Sequence, residues 1–193
     1  MTKHLKIQIP LMLVIAVLYL PMVTMIIHGF NAAPRGMHWQ GATLGWYRAV
    51  FADKALVQSA WHSVTLAFCV AACNVVIAPC IACAGHLYRL PGHEFSHRSM
   101  LVAMTFPDIV LGISFLIAFH FLHWPLGFTA LFIGHLALTV PVSVLLNSHQ
   151  LKRTPPQLWH ATQDLGASDA QGFLWVVAPL LKPSMVATAL ISW

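Results

Sequence analysis

The stretch "IQIPLMLVIAVLYLPMVTMIIH", residues 7–28, has no Asp, Glu, Lys or Arg in 22 positions. A helix needs about 20 apolar residues to cross the hydrocarbon of a bilayer, whereas the core of a secretory leader runs to only about 7–15. This run is longer than a leader core, and no small-x-small cleavage site follows it directly. An uncleaved first spanning helix is the expected element, with Lys3 and Lys6 as its basic flank.

Three further runs of this kind follow, at 60–85, 99–122 and 127–148. A fifth begins near Ser184 and stops ten residues later at Trp193, too short to cross. Composition agrees: 59% of the 193 residues are hydrophobic, 8% are charged, and mean hydropathy is +0.75. Soluble domains carry about 25% charged residues. The expected fold is therefore all-α: a polytopic membrane helix bundle with four full spanning helices and a truncated fifth. There is no internal repeat and no low-complexity tract.

The net charge of +5 does not point to nucleic acid, because the basic residues scatter at the ends of apolar runs instead of clustering. Their placement sets an orientation. With the N-terminus inside, seven lie on inner segments (Lys3, Lys6, Arg89, Arg98, Lys152, Arg153, Lys182) and three on outer ones (Arg35, Arg48, Lys54). That bias favours a cytoplasmic N-terminus.

Metal, haem and catalytic readings find little support. Cys69, Cys73, Cys80 and Cys83 share one apolar run and point around its cylinder, which suits small buried hydrophobes better than a converging zinc site. The 12 histidines invite a haem reading, and His135 and His149 are 14 apart, but no second run carries a matching pair. There is no phosphate-binding loop, no G-x-S-x-G and no H-E-x-x-H, so no catalytic residue is expected.

Two regions carry recognisable chemistry outside the plain runs. Between the first two runs lies "HWQGATLGWYRAVFADKALVQSAW" (38–61), whose Trp39, Trp46, Tyr47, Phe51 and Trp61 suit headgroup depth. Interfacial anchoring is the simple reading; substrate contact by one or two rings is the sharper one. Asp108 is the only acid inside a spanning run. It should face protein or a watery cavity, as a group that touches a cationic substrate or one that caps backbone N–H groups near Pro107.

The segment 155–183, "PPQLWHATQDLGASDAQGFLWVVAPLLKP", reads as two short helices about a glycine turn. Thr154 suits an N-cap and Pro155 the first helical position. Leu158, Ala161, Thr162 and Leu165 fall on one stripe. Gly166 supplies the left-handed residue that ends the first helix. Ser168 and Gln171 form a capping box, with Asp169 at the positive helix start. Phe173, Val176 and Val177 follow, and Pro179 and Pro183 bracket the return to the membrane.

"HATQDLGASDAQGFLWVVAPLLKP" (160–183) resembles the EAA-loop signature of ABC-importer permeases, with Ala161, Gly166, Ala167, Phe173, Pro179 and Pro183 on the expected positions. "GFN" (29–31), "HSVTLAF" (62–68), "LYRLPG" (87–92), "FPDIVLGIS" (106–114) and "PLGFTALFIGH" (125–135) extend the likeness along the whole chain. They narrow it to inner-membrane permeases of the spermidine/putrescine type, second-subunit form. The resemblance implies six helices, so 1–193 would be an incomplete permease domain. It implies an EAA-type coupling loop at 152–183 that docks on a separate ATPase through Gln157, His160, Ala161, Gly166, Ala167 and Ser168.

It also implies a polyamine path touching Asp108, Trp46 and Tyr47. ATP and magnesium would be used by the partner ATPase and no cofactor bound by this chain. The other implied partners are a second permease, a periplasmic solute-binding protein and membrane lipid, in a bacterial inner membrane. Two positions depart from the pattern: His160 stands for the leading Glu and Thr162 for the second Ala, removing any salt bridge that Glu makes. A permease for another small solute, or a non-transporting remnant, are the alternatives.

Overall fold

The computed structural model describes residues 2–34, 38–88, 91–155 and 157–193. Arg35, Arg89 and the side chains of Lys3 and Lys6 lie outside the described residues. The chain divides into two compact units, Met1–Trp61 and His62–Trp193.

In the first unit, α1 runs Thr2–Gly29 with Pro10 and Pro21 inside it. Its Pro10–Gly29 part is long and apolar enough to cross a membrane, and none of it is buried against the rest of the chain. An all-round apolar helix of this kind needs lipid or another helix as its solvent. The following loop is organised by Asn31, which is 1% exposed. Its amide donates to the His38 carbonyl at 2.7 Å and its Oδ1 accepts from the N–H groups of Ala33 and Gln40. An isolated antiparallel bridge joins Asn31 to Ala42. Next comes α2 (Gly45–Ala52), and then Asp53, whose Oδ1 accepts from the Ala55 and Leu56 N–H groups and so caps the helix that follows.

That helix, α3 (Lys54–His86), begins in the first unit and continues into the second. Next are α4 (His93–Ala103), α5 (Asp108–Phe121), α6 (Phe128–Lys152), α7 (Gln157–Asp164), α8 (Asp169–Gly172), a π-helical turn at Phe173–Val177, and α9 (Ala178–Ser192). Three of the expected spans correspond to α1, α3 and α6.

The run 99–122 is not one straight helix. It breaks at residues 104–107, and α4 and α5 meet at a 110° bend. Pro107 is the physical reason: it occupies the N-cap of α5 at ψ 136, an extended backbone that cannot continue α4. The bent pair still carries the chain across. The ends of α3 and α6 meet in one core cluster, through Cys83 and Leu151, so the chain must reach the far end between them.

The last helix also differs from expectation. It starts at Asp169, not near Ser184, and Asp169–Ser192 spans 24 residues, long and apolar enough to cross. Pro179 does not stop it. A proline ring clashes with the carbonyl four residues earlier, here Trp175, which lies inside the π turn. The Ala178 N–H bonds to the Phe173 carbonyl, five residues back, so the widened turn moves the obstructing carbonyl aside.

Candidate functional site

The hairpin of α7 and α8 is built at the end of the bundle where α3 and α6 finish. Its turn follows from local chemistry. Gly166 sits at φ +79, the Gly166 N–H bonds to the Gln163 carbonyl, and the Ala167 N–H bonds to the Thr162 carbonyl at 3.0 Å. These are the two bonds of a Schellman ending. Directly after it, Ser168 Oγ accepts from the Gln171 N–H, and Gln171 Oε1 accepts from the Ser168 N–H at 2.9 Å. The capping box is therefore closed in both directions.

Thr154 does not cap α7. Its hydroxyl turns back and donates to the Gln150 carbonyl of α6, so it finishes the preceding helix instead.

What fixes the hairpin is Trp159, a residue whose role the sequence pattern did not reveal. It is 6% exposed and packs with Ala82, Cys83, Leu151, Val177 and Leu181. The Tyr88 ring meets it edge-on at 5.7 Å. Tyr88 in turn neighbours the Asp169 carboxylate at the start of α8. Burial, followed by the neighbouring Asp169 carboxylate, pushes the Tyr88 phenol above its ordinary range.

With Trp159 turned inward, the opposite side of α7 is open. Gln157, His160 and Ala161 are exposed, as are Gly166 and Ser168, with Ala167 half-buried. Leu165, at the tip, is 87% exposed. The stripe of Leu158, Ala161, Thr162 and Leu165 is thus mostly unpartnered, while Trp159 supplies the anchor. All six residues expected to contact an ATPase lie on this one hairpin.

Behind the hairpin, α9 is joined to the bundle by buried polar side chains. The Asn147 amide of α6 donates to the Ser143 carbonyl and to Thr188 Oγ1, and Ser184 Oγ donates to Asn147 Oδ1 at 2.9 Å. One level further along, the Asn74 amide of α3 donates to Ser143 Oγ and to Ser192 Oγ. Asn74, Ser143, Asn147 and Thr188 are each 0% exposed. Ser184, Thr188 and Ser192 follow at four-residue steps, a spacing that places three hydroxyls on one helix face and was legible in advance.

The residues expected along a substrate path fall in different surroundings. Asp108 is the first residue of α5, directly after the Pro107 N-cap, and is exposed. Trp46 and Tyr47 belong to the first unit. The Trp46 Nε1 donates to the Asn31 carbonyl at 2.9 Å, and the Tyr47 ring lies 5.4 Å from that of Phe30. Both therefore brace the loop, while remaining 44% and 41% exposed.

No protein-family model matches the chain. Individual relatives do. The chain is 34% identical over 178 residues to the spermidine/putrescine transport system permease protein PotC of Escherichia coli, covering 92% of this chain and 67% of that one. To the protein of that name from Haemophilus influenzae it is 31% identical over 180 residues, covering 93% and 70%. The putrescine transport system permease protein PotI of Escherichia coli is 25% identical over 186 residues, covering 91% and 65%. These relatives are transport permeases, not enzymes, and the helices long and apolar enough to cross make this a multi-pass membrane protein. On the identity and coverage of the first two, the chain belongs to the permease family of the spermidine/putrescine transport systems.

Proposed function

We propose that the chain forms part of the transmembrane path for spermidine or putrescine in an ATP-driven importer. The segment 152–183 is its coupling loop. The observation that carries this reading is the two-sided hairpin, held from within by Trp159 and presenting Leu165 and the Ala161 face outward. A loop made only to connect two spans needs neither a closed capping box nor an exposed leucine at its tip.

In this reading Gln157, His160, Ala161, Gly166, Ala167 and Ser168 meet a separate ATPase, which binds and hydrolyses ATP with magnesium. Movement of that partner passes through Trp159 and α8 into α9, which the buried asparagines tie to α3 and α6. Asp108 contacts the polycation in transit, because an exposed carboxylate at a break between membrane helices suits an ammonium group. Trp46 and Tyr47 offer aromatic faces to a polycation on its way through. A second permease completes the path, and a periplasmic binding protein delivers the solute. The protein lies in the inner membrane with its N-terminus in the cytoplasm, the side on which the hairpin and the basic flanks then sit.

Uptake of labelled spermidine and putrescine, in cells stripped of their own importers and supplied with this chain and its genomic partners, tests the reading. Uptake is expected, and Leu165→Asp abolishes it at unchanged membrane level. Asp108→Asn lowers it by at least about tenfold, the effect of one lost charge-assisted contact. An assembled complex that hydrolyses ATP yet takes up neither polyamine overturns the assignment. Near-normal uptake by Asp108→Asn removes that residue from the path.

A further inference from the structure

Asn74 keeps a buried polar atom unpaired, just ahead of a proline inside α3. We propose that the two residues form a latch and a hinge. α3 bends at Pro79, and Asn74 fastens its far half to α9 with a hold weak enough to release. The force that opens the latch rests on the coupling reading above; the weakness of the latch does not.

Three observations lead there. The first is the state of Asn74. Its Nδ2 donates to Ser143 Oγ of α6 at 2.9 Å and to Ser192 Oγ of α9 at 2.6 Å. Its Oδ1 is buried and has no hydrogen-bond partner among the described residues. Both hydroxyls gather at one end of the amide, so turning the group round would still leave its other end without them. The residue is 0% exposed, so bulk water does not complete it. A half-paired buried amide raises the energy of the state that contains it.

The second observation is a contrast. Asn147, which holds α9 to α6, uses both amide hydrogens and its Oδ1. α9 is thus fastened fully to α6 and incompletely to α3. The third is Pro79, buried within α3. It has no N–H for the Val75 carbonyl, and its ring crowds that carbonyl, which weakens the helix next to Asn74. Past Pro79, Ala82 and Cys83 are locked into the cluster with Trp159 and Leu181. The near half of α3 therefore stays with the hairpin, and the far half is the part able to swing.

A seam that only held the helices together would hold as well if it were apolar, without the unpaired atom. The unpaired atom brings the latched and released arrangements closer in energy, as a two-state element requires. Movement of the hairpin carries α9 through Trp159 and Leu181, and draws Ser192 off Asn74.

Two measurements test the latch. In the isolated chain, hydrogen exchange of residues 70–78 reports its opening. Asn74→Leu combined with Ser143→Ala and Ser192→Ala should slow that exchange about tenfold, since the apolar seam no longer contains the unpaired atom. Circular dichroism verifies that the helices persist. In the complex assembled with its ATPase, Cys69, Cys73, Cys80 and Cys83 are replaced by alanine and spin labels are placed on exposed positions. A pair at Phe68 and Leu190 spans the latch, and a pair at Ile81 and Leu180 lies on the near side of Pro79. Trapping with ATP and vanadate should shift the first distance by about 2 Å or more, the scale of helix shifts in switching proteins, and leave the second unchanged. Unslowed exchange in the triple variant, or ATP hydrolysis with the first distance unchanged, would overturn the proposal. A shift in a complex that takes up no polyamine would support the latch and count against the assigned solute alone.

Discussion

Gly172 and Trp159 touch where a side chain would have to be. A Cβ on Gly172 would stand 3.0 Å from Cζ3 of the buried Trp159 ring and 3.1 Å from Thr162 Oγ1. Gly172 has ordinary helical angles, φ -58 and ψ -43, so glycine is needed here for closeness and not for conformation. Gly172→Val should therefore destabilise by roughly 2 kcal/mol, the usual cost of overpacking a filled site. Gly172→Ala should cost less, because its better helix propensity, about 1 kcal/mol, offsets the contact. Thermal unfolding in detergent, read by tryptophan fluorescence, checks both. Equal stability of all three proteins would mean that α7 and α8 do not pack as described.

Leu165 and Gly166 are neighbours with opposite sensitivities. Leu165 is 87% exposed, so Leu165→Asp should change stability by no more than about 0.5 kcal/mol. Gly166 is at φ +79 with open space around it. Gly166→Val should cost about 1–2 kcal/mol through backbone strain alone. Both should reduce transport, the first without and the second with a loss of stability. Parallel measurement of uptake and unfolding separates the two effects.

The bond between Asn147 Nδ2 and Thr188 Oγ1, at 3.0 Å, ties α9 to α6. Polar pairs between membrane helices are worth about 0.6 kcal/mol on average and at most about 1.7. A double-mutant cycle on Asn147→Ala and Thr188→Val should return a coupling within that range. Asn147→Ala alone should cost more, because it also removes the bonds to the Ser143 carbonyl and from the Ser184 hydroxyl. A coupling energy indistinguishable from zero would argue against the bond.

Tyr88 gives the hairpin a pH dependence at the alkaline end. Its raised titration favours the neutral phenol beside the Asp169 carboxylate. The contribution is therefore fully present below the ordinary tyrosine value of about 10, and is lost as pH rises through the raised one. Melting temperatures of the wild type should fall between about pH 9 and pH 11 more than those of Tyr88→Phe. Identical profiles would assign the alkaline response to other groups.

The hairpin was legible in the sequence because its signals are local. Gly166 needs only its own φ, and Ser168 and Gln171 need only each other. Trp159 was not legible, since its partners Ala82, Leu151 and Leu181 come from three other helices and share no short-range pattern with it. Hydropathy found α1, α3 and α6 but is blind to direction. It ran 99–122 together across the bend at Pro107, because the residues on both sides are apolar. It also read Pro179 as a boundary, whereas the π turn at Phe173–Val177 lets the helix continue. Asp108 and the aromatic pair Trp46 and Tyr47 stood out by residue type. Their surroundings depended on Pro107 and Asn31, which composition alone does not connect to them.

That π turn also sets a phase. It inserts extra backbone between the hairpin and the hydroxyls of Ser184, Thr188 and Ser192. Each residue of an α-helix turns the chain by about 100°. One residue removed from this turn would swing the three hydroxyls a quarter-circle away from Asn147 and Asn74, if Trp159 held the hairpin in place. The length of the segment is thus constrained as tightly as its chemistry: the docking end and the membrane end of one helix are indexed to each other, like two gears on a shaft.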